Sequence, residues 1–90
     1  MSILITFEST HHALAAENLL LDAGLQPDLQ PVPRELSSSC GLAIALAASA
    51  RHAAIHLLQE HSVRYKAIYR VSEGKGNKYE EVLVDERPIN

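Results

Sequence analysis

The segment GLAIALA, Gly41–Ala47, has two competing readings. Alanine and leucine suit a helix, yet the run also alternates strictly: Leu42, Ile44 and Leu46 on one side, Ala43, Ala45 and Ala47 on the other. Its shortness and the flanking glycine favour a strand. A strand here makes the chain a strand-helix-strand pattern stated twice.

Working outward, Ile3, Ile5 and Phe7 alternate with Leu4, Thr6 and Glu8, which predicts a first strand. Ser9 and Thr10 offer N-cap hydroxyls for a helix from about Thr10 to Ala23, with Ala13, Ala16, Leu20 and Ala23 as its buried stripe. Gly24 follows as a left-handed C-cap. A short strand is expected at Asp28–Val32, weak or at an edge, because Pro31 and Pro33 cannot donate ladder hydrogen bonds. Arg34–Cys40, RELSSSC, reads as a polar loop. Beyond GLAIALA, Ser49 can cap a second helix over about Ala50–His61, its core stripe Ala50, Ala54, Leu57 and Leu58. Val63–Val71, VRYKAIYRV, alternates as a fourth strand.

The order βαββαβ is a split βαβ arrangement. The expected fold is therefore α+β and ferredoxin-like: a four-stranded antiparallel sheet with two helices on one face, occupying residues 1–71. Residues 72–78, SEGKGNK, read as a flexible joint opening a tail over 72–90. In that tail YEEVLV, 79–84, can add a strand to a sheet edge of its own chain or of a second one.

Composition narrows function. The chain has 90 residues, room for one domain, and 47% hydrophobic residues, enough for a packed core. With three Tyr, one Phe and no Trp, that core must be aliphatic. A net charge of −3 argues against nucleic acid, which demands a basic surface. The longest apolar run, Leu42–Ala48, is far short of the ~20 residues of a membrane span. The N-terminus lacks the positive region of a signal peptide. One cysteine precludes an internal disulfide and fits a reducing compartment, so a cytoplasmic location is expected.

That cysteine, Cys40, is also the one soft nucleophile. A thiol reacts as thiolate, and its ordinary pKa of ~8.5 falls where donors and cations surround it. Ser37, Ser38 and Ser39 precede it with three hydroxyls, Gly41 permits close backbone approach, and Arg34 can reach back as a cation. Against this stands a bland alternative, since a lone cysteine beside an apolar strand is often a small buried hydrophobe.

LITFESTHHALAAENLLLDAG, VPRELSSSCGLAI and VRYKAIYRV resemble the putative selenium/sulfur carrier protein-like family, small bacterial domains. The resemblance spans about Ile3 to Val71. Its most specific element is PRE-x-SSSCG, here Pro33 to Gly41, and FESTHHA, Phe7 to Ala13, is the second. It implies that Cys40 carries sulfur or selenium as a persulfide or selenosulfide, received from a donor protein and passed to an acceptor. Such a carrier needs no metal or organic cofactor. The tail lies outside the resemblance.

The histidines offer weaker signals. His11 and His12 stand at the start of the first helix. Taking the first and third strands as parallel neighbours puts that helix start at the far end of the sheet from Cys40, which weakens a Cys40–His11 pair. His52 and His56, four apart on the second helix, have metal-ligand spacing but lack the general base of a metalloprotease pattern. No nucleophile elbow, phosphate loop or dinucleotide fingerprint is present. The alternative to a carrier is a non-catalytic interaction or small-ligand-binding module that pairs through its sheet face or edge, with a homodimer as one form of that pairing.

Overall fold

A computed structural model describes residues 2–34, 36, 41–72 and 78–82. The described chain is α+β, with two α-helices and one five-stranded antiparallel sheet. The elements run β1 (Ser2–Phe7), α1 (Thr10–Asp22), β2 (Asp28–Pro31), β3 (Leu42–Ala47), a 3-10 turn (Ala48–Ala50), α2 (Arg51–Glu60), β4 (Ala67–Ser72) and β5 (Lys78–Glu81). The sheet order is β2-β3-β1-β4-β5. GLAIALA is thus a strand, and it lies beside β1 in the middle of the sheet.

The alternation read from the sequence sorts the two faces. Ile3, Ile5 and Phe7 of β1, Ile44 and Leu46 of β3, and Ile68 of β4 meet Ala13, Ala16 and Leu20 of α1 and Ala54, Ile55 and Leu58 of α2 in one core. Both helices therefore cover the same face. Phe7 is the one aromatic ring among the largest fully buried side chains, so the core is aliphatic as the composition required. Alanines at 13, 16 and 54 let the helices sit close to the sheet, where each lost methylene of contact matters.

Several expectations need correcting, among them the start of the fourth strand, which is Ala67 and not Val63. The sheet has five strands, not four: residues 78–81 add to the β4 edge, with Tyr69 opposite Glu81 and Val71 opposite Tyr79. β1 and β3 are antiparallel, not parallel, with Ser2 opposite Ala47 and Phe7 opposite Leu42. α2 begins without the Ser49 cap, because Ser49 lies inside the 3-10 turn and no side chain caps the helix. Ala23 is exposed, since the helix has ended before its stripe would return to the core.

The helix ends show a shared solution. At the end of α1, Gly24 adopts φ +77, with its N–H donating to Leu21 O and the Leu25 N–H to Leu20 O. At the end of α2, Ser62 adopts φ +57, with the Ser62 N–H donating to Gln59 O and the Val63 N–H to Leu58 O. Both are left-handed terminations that satisfy the last helical carbonyls. Among the described residues no helix is long and apolar enough to cross a membrane.

Candidate functional site

The antiparallel pairing of β1 with β3 decides what meets at the loop that carries the cysteine. Because Phe7 lies opposite Leu42, the end of β1 and the start of β3 share one end of the sheet. The chain leaves β1 through Glu8 and Ser9 straight into α1. Ser9 caps that helix, its hydroxyl oxygen accepting the His11 N–H at 3.1 Å. The first turn of α1 carries no carboxylate of its own, and the exposed Glu8 stands just before the Ser9 cap. The helix start that a parallel pairing would have sent to the far end is thus on the same side as residue 41.

Gly41 is held closely there. Its carbonyl accepts the Val32 N–H at 3.2 Å, which extends the β2–β3 ladder by one step. A Cβ on it would lie 3.2 Å from the Phe7 carbonyl oxygen and 3.5 Å from Val32 Cγ2. The first of these is tighter than ordinary contact, and the atom it meets is backbone. The close approach that this glycine makes to a described residue is to β1, a contact different from the approach to the Cys40 sulfur for which it was singled out.

The other end of the loop is fixed by a residue the sequence reading passed over. The Leu36 N–H donates to Pro33 O at 3.0 Å, closing a turn through Arg34. Leu36 itself packs on the helix-free face of the sheet, against a cluster of Leu4, Ala43 and Val71 that Val32, Ala45, Tyr69 and Tyr79 also flank. Its signal was present in RELSSSC, as the single aliphatic side chain in a polar run. Arg34 is exposed and makes no ion pair with a described residue. Ser37, Ser38, Ser39 and Cys40 lie outside the described residues. Of the expected site residues, the structure therefore places Arg34 and Gly41, one at each side of that span.

The histidines stay apart in two groups. His11 and His12 stack edge to face, with ring centroids 6.2 Å apart. His52 and His56 line an open depression on α2 of about 520 Å³ with Ala53 and Gln59, and His56 Nε2 lies 3.8 Å from Glu60 Oε1. Among the described residues no three His, Cys, Asp or Glu side chains gather to hold a metal ion.

The helix-free face carries one further feature. Away from Leu36, an open groove of about 360 Å³ runs over Leu4, Ala45, Ala47 and Val71, with Ser2, Asp28, Gln30 and Tyr79 among its polar lining. Its floor is recessed where the β3 side chains on that face, Ala45 and Ala47, are small.

A family model described as "Putative Se/S carrier protein-like" matches residues 2–70. That span covers most of the chain, from the start of β1 into β4, and the chain belongs to this family. No curated protein and no solved structure matches it.

Proposed function

We propose that this member of the family is a sulfur or selenium carrier and that Cys40 is its transfer thiol. The family match carries the reading, because the matched residues include all of Pro33–Gly41. Cys40 is covalently joined to Gly41, and Gly41 sits against the end of β1, where α1 begins. A helix N-terminus favours a nearby anion, which supports the thiolate form, while the Glu8 carboxylate just before the cap works against it. In this reading Ser37, Ser38 and Ser39 supply hydroxyl donors, Gly41 supplies room, and Arg34 supplies a cation.

The transfer balances without any cofactor. The Cys40 thiolate attacks the outer sulfur of a donor persulfide, R–S–SH. The new Cys40 Sγ–S bond forms as the donor S–S bond breaks, and the donor leaves as the thiolate R–S⁻. The product is Cys40–S–SH, which hands its outer atom to an acceptor by the same exchange. A donor selenosulfide, R–S–SeH, gives Cys40–S–SeH in the same way. With one cysteine in the chain, no internal disulfide cycle competes. The partners are a donor and an acceptor protein, and the chain itself is a carrier more than an enzyme. A free transfer thiol belongs in a reducing compartment, which for this reading is the cytoplasm. We read β1 to β4 with the two helices as a ferredoxin-like carrier unit, residues 1–71, to which the 72–90 tail contributes β5.

The test is thiol reactivity in the folded protein. Iodoacetamide should label native Cys40 well below pH 8, and incubation with a persulfide donor should add one sulfur atom. Labelling that proceeds only after denaturation overturns the proposal.

A second reading, a module that binds a small ligand or another copy, has one observation in its favour: the groove on the helix-free face. The sheet edges are poorer candidates for pairing. β2 ends in Pro31, and β5 presents Lys78, Glu80 and Glu81, all exposed. If Cys40 proves inert, this face is where binding should be sought.

A further inference from the structure

α2 covers the sheet with Ala54, Ile55 and Leu58 and turns its other side to solvent. His52 and His56 stand on that outer side, and both are exposed. They lie four residues apart within one unbroken helix, Arg51–Glu60. One helical turn therefore stacks one ring above the other, with Cβ atoms about 5–6 Å apart. Together with Ala53 and Gln59 they line the open depression of about 520 Å³, and those two neighbours bring no charge. The charged side chains of α2 besides histidine are Arg51 and Glu60. Glu60 is on the histidine side, its Oε1 3.8 Å from His56 Nε2. Arg51 is half-buried at the first helical position and does not line the depression.

We propose that His52 and His56 form a two-nitrogen site for a late first-row divalent metal ion, of the class of Zn²⁺, Ni²⁺ and Cu²⁺. Imidazole nitrogen is a ligand that suits all three. The i, i+4 spacing is the one by which a helix presents two histidines to a single zinc ion. One chain supplies two protein ligands, where a closed structural zinc site takes four. The other coordination positions face the depression and are open to water or to a further ligand. Glu60 adds a negative charge beside them. His11 and His12 are the rival pair, but neighbours in sequence leave a helix about 100° apart and do not share a face. The site is independent of the carrier reading, since neither histidine belongs to Pro33–Gly41.

The experiment titrates Zn²⁺ into the reduced full-length protein and follows the imidazole resonances of all five histidines by NMR. Reading the rings one by one keeps any Zn²⁺ held by Cys40 out of the result. The His52 and His56 signals should move together along one binding curve, while that of His61 holds. His52→Ala and His56→Ala should each weaken the affinity read at the remaining ring by on the order of a hundredfold, because the second tethered ligand is gone. Both side chains are exposed, so both variants should fold, and the α2 amide signals check that they do. Glu60→Gln should weaken binding by less than either. His52 and His56 signals that stay still, or that move along two separate curves, overturn the proposal. So does an unchanged affinity at the remaining ring in either alanine variant.

Discussion

Gly41 approaches Phe7 so closely that a Cβ would sit 3.2 Å from the Phe7 carbonyl oxygen. The contact joins the residue after the cysteine to the strand that feeds α1. It follows from the antiparallel register that sets Phe7 opposite Leu42. A methyl group at 41 can be accommodated only by shifting β1 or β3 backbone, and both are central strands. Gly41→Ala should therefore cost about 1 kcal/mol, with the steric term exceeding the ~0.4–1 kcal/mol that alanine gains by restricting the unfolded chain. Gly41→Val should cost more. Urea denaturation of the two variants measures this, and a stabilised Gly41→Ala would mean that the strands part freely there.

Leu20 and Leu21 are adjacent on α1 and lie in opposite environments. Leu20 is fully buried and Leu21 is 53% exposed. Leu20→Ala should lose about 2–5 kcal/mol, a large share of what a domain of this size has, and Leu21→Ala less than about 0.5 kcal/mol. Equal losses in thermal or urea unfolding would contradict the placement of α1 on the sheet.

Gly24 and Ser62 end their helices in the same left-handed conformation, but only glycine adopts it without a steric cost. Ser62→Gly should stabilise the protein by roughly 0.5–1 kcal/mol, and Gly24→Ala should destabilise it by about 1 kcal/mol. The opposite signs make the pair a test of both helix ends in one denaturation series.

The Arg70–Glu80 pair links β4 to β5 at 3.9 Å, with side chains 46% and 75% exposed. Solvent screens such a pair, and its net value lies within about 1 kcal/mol of zero. Glu80→Gln should leave the Val82 amide as protected as before. Loss of that protection would show that charge, and not the Tyr79 and Val82 packing, holds β5 in place.

Much of this architecture was legible in local pattern. Ile3, Ile5 and Phe7 alternate because one sheet face is covered by helices, and Gly24 marks a helix end because its conformation excludes most other residues. The pairing direction of β1 and β3 was misread: the antiparallel sheet expected from the βαββαβ order already required adjacent strands to run oppositely, and taking these two as parallel contradicted it. The sequence left 79–84 open between an added strand and a frayed tail; the strand is Lys78–Glu81, and its place depends on contacts with Val71 and Ile68 that no local window contains. Ser62 escaped notice because a serine in the left-handed region leaves no mark in the sequence. At the site, Gly41 was singled out for an approach to the Cys40 sulfur, whereas its approach to Phe7 O follows from the β1–β3 register, which no local window contains. Leu36 was missed because a polar loop was read as solvated throughout, when its one aliphatic residue is its anchor.

The central claim concerns the atom that Cys40 carries, and mass spectrometry of the Cys40 peptide reads it directly. The protein is purified from its own cell without reductant, then incubated with a persulfide donor. The account predicts a peptide heavier by one sulfur or one selenium atom that reverts on reduction and does not form in Cys40→Ser. A Cys40 peptide that stays unmodified in both preparations, while the protein remains folded, contradicts it.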